Sequence, residues 1–259
     1  MSMLLENDYL NSINYIPIKE SEYTTNHPLV LEWTDVFHKE FLSQKIFEKF
    51  GAIQSSDTVK AELVGYSWHH FSARVAQFLC YASAKVSTNR LRHYVIQIAF
   101  EELGMRDVNE IHADMFQQAF IATQFNVQDK MGDFIPKSLS VLNCEMKNFT
   151  SDGYILGVLL GFEIPAVENI SAVFNSLAFD APRKSFLEKT KFFQLHQQIE
   201  TEHIRLNVSN FLRFCDSESD RTQFKIGVTN GIKFWTEIWN EVGEELIRRN
   251  QLRKTYEKR

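Results

Sequence analysis

Residues 152–165 read DGYILGVLLGFEIP. The stretch is almost wholly apolar, and Gly153, Gly157 and Gly161 recur every fourth residue, which places them on one face of a helix. A face without side chains permits another helix to pack closely. Pro165 removes a backbone donor and crowds the preceding turn, so it is expected to kink the helix. The stretch predicts a buried helix in a tightly packed helical fold.

The rest of the chain supports a helical fold. Ten glycines and five prolines in 259 residues are few for a fold with many short turns, while 22 phenylalanines and four tryptophans supply a large apolar interior. Helices are expected from Pro28 to Gly51, from about Ser56 to Val86, from Asn89 to Glu102, from near Asn109, from Pro136, from Asp152, from Pro182 to about Cys215, and after the polar turn at 216–220. The prediction is an all-α bundle of about seven to eight helices.

No linker-like break divides the chain. We therefore expect a single domain over residues 26–250, preceded by an irregular segment at 1–25 and followed by a basic tail at 251–259 that frays into solvent. The formal charge of −5 offers no basic stripe for nucleic acid. The three cysteines are scattered, which favours a reduced, cytoplasmic protein. We expect neither export nor a membrane span, because the N-terminus does not resemble a leader and no stretch approaches about 20 apolar residues.

The clearest chemical signal lies in the predicted helix from Pro182. His196, Glu200 and His203 are four and three residues apart, so their side chains share a narrow arc of one helical face. Glu200 and His203 form the Glu-x-x-His unit with which one helix supplies an oxygen and a nitrogen ligand to a carboxylate-bridged metal pair. An exposed polar helix face is the alternative, since neighbouring residues are also polar.

Two further segments carry candidate ligands. Glu101-Glu102-Leu103-Gly104 ends a helix in carboxylates and a glycine stop, and His112 follows near the start of the next helix. Glu163 stands in the apolar stretch quoted above, where an uncompensated carboxylate is costly. A metal ion would compensate it, and so would a buried arginine.

With these residues in order, the chain resembles the haem-oxygenase-like diiron oxidases and oxygenases. That family has Glu-x-Gly, a histidine about ten residues after the glutamate, a lone glutamate on a glycine-containing helix, and then His-x3-Asp-x2-His about thirty residues later. The matching positions are Glu102, His112, Glu163, His196, Glu200 and His203, within a resemblance over about residues 60–240. The choice between Glu101 and Glu102 stays open, and Glu102 is preferred for its spacing to His112. Glu200 replaces the usual aspartate, and a seventh ligand found in some members has no counterpart here.

The resemblance implies a haem-oxygenase-like bundle and a site for two Fe(II) ions per chain, with Mn also compatible with the ligand types. It implies that O2 oxidises a small substrate of the amino acid, amine or fatty acid class in a biosynthetic step. All six residues would then be ligands and catalytic residues. A homodimer is compatible with this description.

Two other functions fit the same fold. One is a metal-independent enzyme like thiaminase II, and the other is a helical protein that binds iron without catalysis. Haem is disfavoured because it needs one axial ligand and leaves the carboxylates unexplained. The remaining histidines, including the pair His69-His70, are expected to be structural or solvated, and Phe71, Phe116 or Phe162 to line an apolar pocket.

Overall fold

The structure is a computed structural model. It describes residues 32–33, 35–37, 50–53, 56–123 and 134–256, without the side chains of 141, 143–145, 197–201 and 253–256. Every regular element in these ranges is helical, which confirms the all-α prediction. The segment 1–25 and most of the helix predicted at 28–51 lie outside the described residues. The helices are α1 (Asp57–Lys85), α2 (Asn89–Glu102), α3 (His112–Ala122), α4 (Leu139–Asn148), α5 (Asp152–Glu163), α6 (Ala166–Leu177), α7 (Ala181–Leu187), α8 (Lys191–Phe214) and α9 (Glu218–Tyr256), with a 3-10 turn at Val108–Glu110.

Several helices begin where the sequence supplies a capping side chain. The hydroxyl oxygens of Ser56, Thr88 and Ser151 each accept a hydrogen bond from the backbone N–H three residues later. These bonds satisfy donors that the first helical turn leaves without an intrahelical partner. The starts of α1, α2 and α5 therefore follow from short polar residues placed just before apolar runs.

Three predicted helix boundaries are wrong. The helix expected from Asn109 begins at His112, after the 3-10 turn, and the helix expected from Pro182 is divided into α7 and α8 by an extended residue, Thr190. Pro165 ends α5 instead of kinking it, because it cannot donate a backbone hydrogen bond. Its own carbonyl accepts from Asn169 N–H at 2.9 Å and so opens α6.

The last helix also runs further than expected. α9 continues past residue 250 to Tyr256, so the tail expected at 251–259 is helical for most of its length, and 257–259 lie outside the described residues. Glu245 pairs with Arg248 and Arg249 within this helix. Carboxylate–guanidinium pairs three and four residues apart favour helical continuation.

The centre of the fold is the contact between α5 and α9. A Cβ atom added to Gly157 would lie 2.2 Å from the carbonyl oxygen of Phe224, and one added to Gly161 would lie 2.5 Å from that of Val228. Backbone therefore packs directly on backbone, as the four-residue glycine spacing predicts. The indole N–H of Trp235 on α9 donates to the carbonyl of Phe162 at 3.1 Å, next to Glu163. Together these contacts fix the C-terminal end of α5.

Residues 152–177 are long and apolar enough, by composition, to cross a membrane. About 67% of their most apolar window is buried among the other helices, and the stretch is divided at Pro165 into α5 and α6. These are properties of core helices in a folded domain. The cytoplasmic location stays a prediction.

Candidate metal centre

Four helix segments bring the candidate side chains together. Glu101 and Glu102 end α2, His112 begins α3, Glu163 ends α5, and His196 and His203 lie on α8. The α2–α3 connection depends on Gly104, whose φ of +78° is in the left-handed region that favours glycine. A Cβ there would lie 2.3 Å from the carbonyl oxygen of Asp107. This tight turn returns the chain so that His112 faces the end of α2.

One group of three donors meets the spacing expected of a metal site. Glu102, His112 and His196 each place a ligand atom within 4.8 Å of the other two, and both histidines are buried. Glu102 Oε2 lies 3.2 Å from His112 Nδ1, yet that nitrogen is buried without a hydrogen-bond partner among the described residues. A buried nitrogen that lies near a carboxylate without a hydrogen bond is suited to bind a cation held between the two groups.

The charges of this group suit a cation. Burial alone would raise the pKa of Glu102, but His112 foremost, with His196 and His203, outweighs burial and lowers that pKa to about 2. Burial lowers the pKa of His196 to about 4. At neutral pH Glu102 is therefore a carboxylate and His196 a neutral imidazole, which are the protonation states that bind metal.

The backbone sets which nitrogen of His196 faces the site. His196 Nδ1 lies 2.8 Å from the carbonyl oxygen of Phe192, one helical turn earlier, and a carbonyl can only accept. Nδ1 therefore carries the proton and Nε2 presents a lone pair. A carbonyl or carboxylate on the far nitrogen is the usual support of a metal-binding histidine.

His203 lies between two carboxylates. Its Nε2 is 2.9 Å from Glu101 Oε2, and its Nδ1 is 3.5 Å from Glu163 Oε2. The imidazole is almost completely buried, with 2% of its side chain exposed. The two carboxylates thus contact opposite nitrogens of one ring and do not converge on one point. The structure brings His203 and Glu163 together, as expected from the sequence, and adds Glu101.

The remaining predicted ligand, Glu200, lies on α8 between these histidines. The backbone of α8 is helical from Lys191 to Phe214, so positions 196, 200 and 203 share one face. The side chain of Glu200 is outside the described residues. Its role as a ligand stays a prediction, as do the roles of the other five residues.

A cavity of about 70 Å³ adjoins the first group. Four of the candidate ligands, Glu102, His112, Glu163 and His196, form part of its wall. Among the described residues the rest of the wall is apolar except for one serine: Trp68, Phe71, Ser72, Val75, Phe78, Leu79, Leu142, Leu159, Phe162, Ala166, Ile170, Phe192 and Trp235. The donors therefore face an apolar chamber.

Comparison with known proteins gives the family. The model of a family described as "Iron-containing redox enzyme" matches residues 66–236, about two thirds of the chain. The chain belongs to this family. Glu102, His112, Glu163, His196 and His203 all lie within the matched residues.

Solved structures give the same fold at low sequence identity. Two crystal structures of a CADD-like protein of unknown function from Nostoc punctiforme PCC 73102 are similar to this chain. One has 15% identity and a TM-score of 0.64 and covers 95% of this chain and 97% of that one. The other has 16% identity and a TM-score of 0.58 and covers 95% of each chain. No curated protein matches the sequence.

The expectations for other residues have mixed outcomes. Phe71 and Phe162 line the cavity, as expected, but Phe116 is not among the residues that line it and packs against Phe192. The helix that carries His69 and His70 does pass the site, since Trp68 and Phe71 of α1 form part of the wall. The glycine face of α5 packs against α9, which confirms close helix packing and disfavours a role in approaching haem.

Sequence reasoning missed the contact between Glu101 and His203. The available signal is the pair of consecutive carboxylates in the last turn of α2, which the sequence treats as alternatives for one ligand position and not as residues with two partners. Successive helical residues point about 100° apart, so two such residues can contact different partners. The spacing to His112 selects Glu102 and carries no information about Glu101.

Proposed function

We propose that this member of the iron-containing redox enzyme family binds two ferrous ions and uses O2 to oxidise a small, largely apolar substrate. The observation that carries the proposal is the position of the buried histidine–carboxylate groups beside an apolar chamber. One group is Glu102, His112 and His196; the other is His203 with Glu163. Glu200 is expected to complete the second group.

The donor types favour iron. Imidazole nitrogen and carboxylate oxygen suit Fe(II) and Mn(II), whereas structural zinc prefers four ligands that commonly include thiolate. Bound iron would supply electrons to O2 and so convert it into an oxidant. The chain's own contribution is to keep the ligand atoms unprotonated. Glu102 stays a carboxylate, and Nε2 of His196 keeps its lone pair because Nδ1 carries the hydrogen and donates it to the carbonyl of Phe192.

The chamber supports an apolar substrate. Its described wall contains six aromatic side chains and neither lysine nor arginine. The hydroxyl of Ser72 donates to the carbonyl of His69 at 3.2 Å and so already has a partner. A free amino acid would bring an ammonium and a carboxylate into this wall, and a buried charge without a partner is costly. A substrate whose polar group points at the metal side fits better.

The packed rings of the wall also limit the access of water to the donors. Trp68, Phe71 and Trp235 pack on one another, with ring centroids 4.5 to 5.6 Å apart, and the Phe162 ring packs on Phe78 at 5.1 Å. Closely packed rings leave little room for solvent beside an oxidising centre, which protects reactive species from side reactions.

Anaerobic Fe(II) titration of the full chain tests the proposal. We expect two Fe(II) per chain and, after O2 is admitted, a transient visible absorption band and consumption of O2. Glu163→Ala or His203→Ala should reduce iron loading while the far-ultraviolet circular dichroism stays helical. Glu110→Ala removes an exposed carboxylate that pairs with Lys191 and serves as the control.

Other results would support other functions. Iron binding without any reaction with O2 would indicate a non-catalytic iron-binding protein. No iron binding would leave a metal-independent enzyme of the thiaminase II type and would overturn the proposal.

A further inference from the structure

Two consecutive carboxylates at the end of α2 contact different histidines. Glu102 Oε2 lies 3.2 Å from His112 Nδ1, in the group that faces the cavity. Glu101 Oε2 lies 2.9 Å from His203 Nε2 and is absent from the described cavity wall. One helix end thus contacts α3 through Glu102 and α8 through Glu101.

The contact with Glu101 decides where the proton of His203 resides. An ionised carboxylate has only acceptor atoms, so Nε2 must carry the hydrogen of the 2.9 Å bond. In the neutral imidazole the other nitrogen, Nδ1, then presents its lone pair, and this atom faces Glu163 Oε2 at 3.5 Å. When the ring is neutral, both atoms on that side are electron-rich, whereas a ring protonated on both nitrogens would donate to both carboxylates. A cation held between His203 and Glu163 would stabilise the arrangement.

The geometry is the counterpart of the one at His196. There a backbone carbonyl holds the proton on Nδ1 and directs Nε2 to the site; at His203 the carboxylate of Glu101 holds the proton on Nε2 and directs Nδ1 to Glu163. A carboxylate on the far nitrogen both orients a metal-binding histidine and increases its basicity. Each of the two histidines on α8 therefore has its own fixed acceptor.

We propose that Glu101 is a positioning residue that orients His203 for the second metal ion, while its neighbour Glu102 serves the first. The inference rests on the proposed function for the metal itself, but its structural part concerns the metal-free chain. The two consecutive glutamates therefore have separate roles, one acting on a metal ion directly and the other acting through a histidine.

Nitrogen-15 NMR of histidine-labelled, metal-free protein tests the structural part. In the wild type, at a pH where the ring is neutral, His203 should be the tautomer with hydrogen on Nε2, and a ring with hydrogen on Nδ1 instead would contradict the inference. His203→Gln assigns its signals. In Glu101→Ala the signals should move towards a mixture of tautomers. Glu101→Gln keeps an acceptor oxygen without the charge and should largely restore the wild-type pattern. An unchanged His203 spectrum in Glu101→Ala would overturn the inference.

Metal affinity tests the second part. Competition between the protein and a chelator for Fe(II) should show that Glu101→Ala weakens one of two sites by about 10- to 100-fold and leaves the other within about twofold. Glu202→Ala is the matched control, because Glu202 precedes His203 on α8 but pairs with Arg205. Wild-type affinity at both sites in Glu101→Ala, or equal weakening of both, would refute the role.

The two proposals fail in different ways. If the wild type binds no iron, the proposed function is wrong, and the NMR result alone decides whether Glu101 orients His203. If the wild type binds two irons and Glu101→Ala binds them equally well, the role of Glu101 is wrong and the proposed function stands.

Discussion

The buried, neutral imidazole of His196 should make the metal-free protein lose stability in mild acid. Burial lowers the pKa of this group from 6.5 to about 4. Between these two values the unfolded chain binds a proton that the folded chain does not, so the free energy of unfolding decreases as the pH falls from 6.5 towards 4. At 1.36 kcal/mol per pKa unit, the full loss from this group is about 3 kcal/mol, and most of it is reached by pH 4.5.

Urea unfolding of chelator-treated protein at pH values from 4.5 to 7.5 measures this loss. His196→Gln retains a side-chain N–H for the carbonyl of Phe192 and has no titrating group. The free energy of unfolding of the wild type, relative to that of this variant, should therefore fall by about 2 to 3 kcal/mol between pH 7.5 and pH 4.5. His93→Gln changes an exposed histidine and should follow the wild-type curve. A difference between wild type and His196→Gln that does not vary with pH would refute the reasoning.

Three other expectations concern packing and reactivity. Gly157→Ala should lower the free energy of unfolding by about 1 to 3 kcal/mol in the same urea assay, because its Cβ would meet a backbone carbonyl at 2.2 Å. Gly243→Ala is the control: its Cβ meets one methyl group at 3.9 Å, so this change should be neutral or stabilising by up to about 1 kcal/mol. Ala166→Phe should fill the chamber of about 70 Å³ and weaken the binding of xenon, measured by xenon-129 NMR, at least tenfold without changing iron content. The neighbouring exposed residue provides the control, since Val167→Phe should bind xenon like the wild type. Equal binding by both variants would contradict the position of the chamber. Burial, with three nearby aspartates, raises the pKa of the Cys215 thiol to about 12, so Cys215 should resist iodoacetamide at pH 8 until the chain unfolds. Peptide mass spectrometry after labelling measures this reactivity. Rapid labelling of Cys215 in the native protein would contradict the prediction.

The fold was predictable where local signals agree with packing. The glycine spacing of α5 predicts close helix contact, and the backbone-to-backbone approach of α5 and α9 is that contact. The end of α2 followed from Gly104, whereas Pro165 ends α5 where only a kink was expected. The break at Thr190 was not predicted, because this stretch contains neither glycine nor proline to signal the end of a helix.

The site was predictable where ligands are fixed by spacing along one helix or across one turn. His196 and His203 share a face of α8, and Gly104 explains how His112 returns to Glu102. The contact between Glu101 and His203 joins residues 102 positions apart, and no local pattern predicts which of two adjacent carboxylates reaches a distant ring. The same holds for the orientation of His196, which depends on a backbone carbonyl of its own helix.

The contact between the glycines of α5 and α9 has a consequence for the shape of the chamber. Gly161 lies two residues before Glu163, a candidate ligand. Gly231, which contacts Gly161 from α9, lies four residues before Trp235 in the chamber wall. The distance between the two helices at these glycines therefore sets the separation between Glu163 and Trp235. A single methyl group introduced there would meet backbone of the opposite helix at less than 3 Å, so the two helices would have to shift and carry Glu163 and Trp235 with them. The shape of the chamber therefore depends on two glycines that are not among its described lining residues.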